Sequence, residues 1–169
     1  MVVIINISSY GYLISFSKTN LIRNRATFID PCKAMIEKMK ANEYVRIKLP
    51  SYNNIFDGFM PDFPSVPGIY ISPIMVKEKP ILGFSENTKI VESNNLKWQL
   101  DALSNLSLEH ARVLGLTACR SLLPSIISAG LFSLKYNLDY VVKDENYVPN
   151  VYRAVFTITC KRYHRRIDI

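Results

Sequence analysis

The chain has 169 residues, 49% of them hydrophobic, and a formal net charge of +7. That balance excludes a disordered chain and allows one domain whose core needs neither disulfide nor metal. Cys32, Cys119 and Cys160 stand far apart with no Cys-x-x-Cys pair, so they read as buried thiols of a protein made in the reducing cytoplasm.

The first expected element is a β-hairpin. Residues 1–16 are rich in Val, Ile, Tyr and Phe, but Asn6, Ser8, Ser9, Gly11 and Ser15 interrupt the apolar run. The run falls short of the ~20 apolar residues of a spanning helix, and no basic segment precedes it as in a signal peptide. Strands 2–7 and 12–16 turning at 8–11 fit better. Uncovered apolar strands seek a pairing partner, which makes Val3, Ile5 and Tyr12 candidate interface residues. Residues 18–28 are polar and basic and read as a connector.

Asp30-Pro31 then starts a helix over 30–42, an N-cap carboxylate before the residue best suited to the first helical position. Cys32, Met35, Ile36 and Met39 give it one apolar stripe. In 44–49, Val45, Ile47 and Leu49 alternate with Arg46 and Lys48, which predicts a half-buried strand ended by Pro50. Residues 51–67 form a long loop holding Phe56, Phe59 and Phe63 among prolines and asparagines. Such loops either contact a partner or cover an open end of the core. A strand follows over 68–76, where Pro73 marks an edge or a bulge. Residues 77–93 read as a second exposed loop, or as a protruding hairpin of 80–84 with 88–91.

The clearest signal spans 95–166. Leu96, Trp98, Leu100 and Ala102 alternate with polar residues as in a strand with one buried face. Ser107 caps a helix whose Ala111, Leu114, Gly115, Ala118 and Leu122 share a face until Pro124 stops it. Phe132, Leu134, Tyr136, Leu138, Tyr140 and Val142 form a long alternating strand, and Tyr152, Ala154, Phe156, Ile158 and Cys160 form another beyond the turn 143–146. The end carries Lys161, Arg162, Arg165 and Arg166, a candidate polyanion contact or a solvated tail.

The expected fold is α+β, a mainly antiparallel sheet with two helices packed on it, plus the N-terminal hairpin. It is one domain over 1–169, with a hairpin arm at 1–17, a core at 30–162, loops at 51–67 and 77–93, and a basic tail at 163–169.

Nothing in the chain reads as an active site. His110 falls in the first turn of a helix, His164 lies among basic residues, and no serine stands in a Gly-x-Ser-x-Gly turn. The six glycines are scattered without a phosphate-cradle spacing, and acidic pairs such as Asp144 and Glu145 fall in turns. No enzyme, cofactor or metal site is expected, and two readings stand: a structural protein, or a nucleic-acid-binding module using the basic end and its tyrosines.

The strand Leu96-Lys97-Trp98-Gln99-Leu100-Asp101-Ala102, the spacer 103–107, the helix 111–123, and the strands 131–142 and 151–158 together resemble the tail terminator and neck (tail-completion) proteins of tailed bacteriophages. The helix 30–42 and the predicted strand 44–49 resemble that family's opening pair, so the likeness covers about 30–162. It implies a virion protein of the tail or neck, assembled in the host cytoplasm. It further implies a homo-oligomeric ring, commonly sixfold, that caps the tail tube and meets tube, sheath or head-connector proteins around a DNA-sized channel. No cofactor and no reaction are implied.

Overall fold

The computed structural model describes residues 2–6, 13–17, 30–49, 51, 53–85, 88–147 and 150–167. Strands β1 (Val2–Asn6) and β2 (Leu13–Ser17) pair antiparallel in a two-stranded sheet, Val3 opposite Phe16 and Ile5 opposite Ile14. The turn expected at 8–11, the candidate Tyr12 and the connector at 18–28 lie outside the described residues.

Helix α1 (Pro31–Ala41) opens as its sequence requires, with the Asp30 carboxylate accepting the Cys32 N–H at 2.9 Å and Pro31 in the first turn. It buries Cys32, Ala34, Met35 and Met39. The strand predicted over 44–49 is instead a short helix, α2 (Glu43–Lys48). The Asn42 side chain accepts the Val45 N–H at 3.2 Å and caps it, with Glu43 in its first turn and Arg46 and Lys48 in its last. Val45 and Leu49 are buried and Ile47 is exposed. The buried pair is four residues apart, which suits one helical face as well as alternate strand positions, and the cap decides between them.

Strands β3 (Ile55–Asp57), β4 (Gly68–Ser85), β5 (Thr88–Ser104), β6 (Leu131–Asp144) and β7 (Val151–Ile167) form one sheet in the order β3-β4-β5-β7-β6. Helix α3 (Leu108–Leu122) and a 3-10 turn at Ile127–Ala129 lie between β5 and β6. The fold is α+β, but the expected mainly antiparallel sheet is corrected to a mixed one. β3 runs parallel to β4, while β4–β5, β5–β7 and β7–β6 are antiparallel. The parallel pair exists because the loop 58–67 carries the chain back to the start of β3 before β4 sets out.

One face of the sheet meets the helices. Leu96, Trp98, Leu100 and Ala102 of β5 and Ala154, Phe156 and Ile158 of β7 pack with Met35 and Met39 of α1 and Ala111, Leu114, Ala118 and Leu122 of α3. α3 comes so close that a β-carbon on Gly115 would overlap the edge of the Phe156 ring. α1 is also tied to the end of α3. Lys38 Nζ donates to the carbonyls of Leu122, Leu123 and Ser125 at 3.0, 3.4 and 2.7 Å, using all three ammonium protons.

The long alternation in β6 does not lie on one face. Between Phe132 and Lys135, and again between Leu138 and Tyr140, β6 carries one residue more than β7, and Ser133 takes φ 53° at the first bulge. Leu131, Leu134, Tyr136, Leu138 and Val141 consequently pack on the helix side, whereas Tyr140 and Val142 are exposed.

The segment 77–93, read as a loop, is strand over 77–85 and 88–93, with Leu82 opposite Ile90 as in the hairpin reading. Residues 163–167, read as a tail, continue β7 and pair with β5 from Tyr163 opposite Glu92 to Ile167 opposite Thr88. Among the described residues no helix is long and apolar enough to cross a membrane.

Candidate functional site

The sheet has two unlike ends. At one end β5 finishes, β4 and β7 begin and β6 finishes, as fixed by Gly68 opposite Leu103, Ser104 opposite Tyr152 and Asp144 opposite Val151. The loop 58–67, α2 and the start of α3 gather there. Tyr70, Leu103 and Val151, on the face away from the helices, are covered by Phe56, Met60, Val66 and Tyr147. Phe56 stacks on Tyr70 with centroids 4.8 Å apart, so of the three loop phenylalanines it serves the core. Phe59 and Phe63 do not, being 69% and 93% exposed.

Other exposed apolar side chains lie at the same end. Tyr44 and Ile47 project from α2, at 70% and 73% exposure, and Leu106 and Leu108 flank the cap of α3. α2 stands beside that cap, because the Lys48 charge helps to depress the pKa of His110. Three separate stretches of sequence thus leave six large apolar side chains exposed, four on α2 and at the start of α3 and two on the loop 58–67 that covers the other face of the sheet. Exposed apolar side chains of this size are candidates for contact with a partner.

Beneath this end the polar groups are locked. Asp101, 1% exposed, accepts Arg153 Nε at 2.9 Å, Arg153 Nη2 at 2.8 Å and Gln99 Nε2 at 2.9 Å. Ser104, fully buried, accepts the Leu106 N–H at 3.0 Å and meets His110 Nδ1 at 2.9 Å. Burial of His110, more than the Lys48 charge, holds its pKa below the ordinary histidine value. A neutral ring fits the contact, since its Nδ1 can then accept the Ser104 hydroxyl proton. The sequence did not signal this serine–histidine contact, which only the corner from β5 into α3 creates. With no exposed surface on Ser104, the pair clasps the corner and offers no nucleophile to solvent.

The thiols are sealed as well. Burial raises Cys32 and Cys160 to about 12 and Cys119 further still. Among the described residues no three His, Cys, Asp or Glu side chains are grouped to hold a metal ion.

The remaining candidates disperse. Val3 and Ile5 stand in β1. Pro73 is exposed beside a bulge, on the stretch of β4 past its last pairing with β3 at Ile71. Lys161 is exposed and Arg162 half-buried on β7, and Arg165 and Arg166 fall opposite Ile90 and Lys89. They belong to the end of the sheet opposite the apolar one. Sequence reading found Phe59 and Phe63 but missed Tyr44, Ile47, Leu106 and Leu108. The one available signal was an apolar residue on the polar side of a short capped helix, and it was masked by the strand assignment.

Neither a protein-family model nor a curated protein matches this chain.

Proposed function

We propose that this chain is a structural assembly protein, a ring-forming subunit of the tail terminator or neck type found in tailed bacteriophages. In this reading it caps the tail tube and joins it to the head connector. The observation that carries the assembly part is the set of large apolar side chains left exposed, Tyr44, Ile47, Leu106 and Leu108 on α2 and at the start of α3 and Phe59 and Phe63 on the loop 58–67. A subunit in a closed ring presents two different patches to its neighbours, and a surface of this kind gains by being covered.

The particular assembly rests on the order of elements. β5, the capped helix α3, β6 and β7 follow one another as strand, helix, strand, turn and strand, the sequence on which the resemblance stands. The partners are then further copies of this chain, in a ring best tested as a hexamer, and the proteins of the tail tube, sheath or connector. The function lies in surfaces, with no reaction and no cofactor, and the place of action is the virion.

Sedimentation of the full chain together with electron microscopy of negatively stained particles tests the reading. Rings are expected, and the double substitution Ile47→Ser with Phe63→Ser is expected to yield folded monomers. A wild-type chain that stays monomeric at every concentration overturns the assembly reading.

A further inference from the structure

The six exposed apolar side chains belong to two surfaces of opposite charge. α2 and the start of α3 lie on the helix side of the sheet, since Val45 and Ala111 join that core. The loop 58–67 lies on the other side, where Met60 and Val66 cover Tyr70, Leu103 and Val151. The turn after β6 belongs to this second surface. Tyr147 packs in the same cluster, and its hydroxyl donates to the Pro61 carbonyl at 3.5 Å.

The second surface is acidic. Residues 58–67 and 144–147 hold Asp62, Asp144 and Glu145 and no Lys or Arg. Asp62 and Glu145 are exposed and Asp144 is half-buried. Burial, and then the charges of Asp144 and Asp62, raise the Tyr147 hydroxyl above its ordinary pKa, so both carboxylates act at this turn. Arg153 is matched by the buried Asp101 at 2.8 Å, and Lys143 stands opposite Tyr152, which packs on the helix side. Three negative charges therefore surround Phe59 and Phe63. The first surface has the other sign. On α2, Arg46 and Lys48 outnumber Glu43, and at the start of α3 Glu109 and Arg112 cancel in an ion pair of 2.6 Å.

If the acidic surface met its own copy, three carboxylates would oppose three, an arrangement that costs affinity. Contact between the two unlike surfaces brings apolar side chains together inside a rim of opposite charge. We propose that α2 and the start of α3 of one copy dock on the loop 58–67 and the turn 144–147 of the next. This docking rests on the assembly reading and assigns its two mating surfaces. Because they lie on opposite sides of the sheet, the contact is head to tail, and every copy has both surfaces covered only when a ring closes.

Charge reversal in the full chain, read by sedimentation at about 0.1 M salt, tests the pairing. Asp62→Lys with Glu145→Lys makes the loop surface positive, and Arg46→Glu with Lys48→Glu makes the α2 surface negative. Each double variant sets like charge against like and is expected to raise the concentration needed for half assembly roughly tenfold or more. All four substitutions in one chain restore opposite charge and should return assembly to near wild type. The loss in each double variant should shrink at about 1 M salt.

A folded four-substitution variant that stays dissociated overturns the docking, because contacts between like surfaces gain nothing from the combination. So does a double variant that assembles as wild type does. If the α2 reversal fails to fold by circular dichroism, Tyr44→Glu with Ile47→Glu replaces it at positions 70% and 73% exposed. The same loss is then expected, with partial recovery on combination with the loop reversal, and no recovery overturns the docking. Wild type that stays monomeric overturns the assembly reading as well, whereas wild-type rings without recovery sink this inference alone.

Discussion

Gly115 of α3 lies directly against the ring of Phe156 on β7, so that a side chain at position 115 and the phenyl ring would occupy the same space. Phe156 is fully buried in the core between the sheet and the helices. Helix propensity alone makes Gly115→Ala favourable by about 1 kcal/mol. Overpacking a rigid core costs about 1–3 kcal/mol. Gly115→Ala is therefore expected to lower the denaturant midpoint, with the slope of the transition unchanged. A rise in the midpoint would show that α3 can lift off the sheet at little cost.

The buried carboxylate of Asp101 depends on Arg153 and Gln99 for its partners. Removing Arg153 as Arg153→Leu strands a charge that is out of water, at a cost of about 3–5 kcal/mol. Replacing both members, Asp101→Leu with Arg153→Leu, should recover much of that loss, because neither charge then has to be desolvated. Chemical denaturation of the two single variants and the double variant measures the coupling. Additive losses would show that the pair does not act as one unit.

Stability should also fall in mild acid because of His110. Its folded pKa lies below the ordinary value of 6.5, chiefly through burial, so between the two values the unfolded chain holds a proton that the folded chain does not. The contribution is complete above about 6.5 and is lost as pH drops through the folded pKa. Protonation also makes both ring nitrogens donors, so Nδ1 can then no longer accept from Ser104 Oγ. Melting temperature measured against pH should decline below about 6.5 in wild type, and His110→Gln should shallow that decline. An unchanged profile in the variant would assign the acid sensitivity to other groups.

Deleting residues 1–17 is expected to leave the domain over 30–162 folded and to impair assembly. β1 and β2 pair with each other in their own sheet, outside the five-stranded one. Far-ultraviolet circular dichroism that collapses on deletion would refute the first half, and unaltered particles in sedimentation would refute the second.

Much of the core was legible because local chemistry and tertiary burial agree there. Asp30 and Ser107 cap the helices that their side-chain chemistry predicts, and the alternation from Leu96 to Ala102 faces the core as written. Legibility failed where one pattern serves two structures. Val45 and Leu49 satisfy a strand and a helical face alike, and the Asn42 cap that chooses between them also occurs in turns. In β6 the apolar alternation is real, but two bulges turn Tyr140 and Val142 off the face that buries Leu134 and Leu138. No local signal fixes a bulge whose position depends on matching β7. The apolar end was half visible, through Phe59 and Phe63, because loop aromatics are conspicuous while Ile47 and Leu106 gain meaning only from their neighbours in space.

Lys38 brings helix α1 under the control of a segment more than eighty residues later, through three carbonyls around the end of α3. An eleven-residue helix near one end of a domain would ordinarily fray on its own, and its amides would exchange with solvent long before the sheet opened. Tied in this way, α1 joins the cooperative unit of α3 and the sheet, and its amide protons should exchange only as fast as the whole domain unfolds.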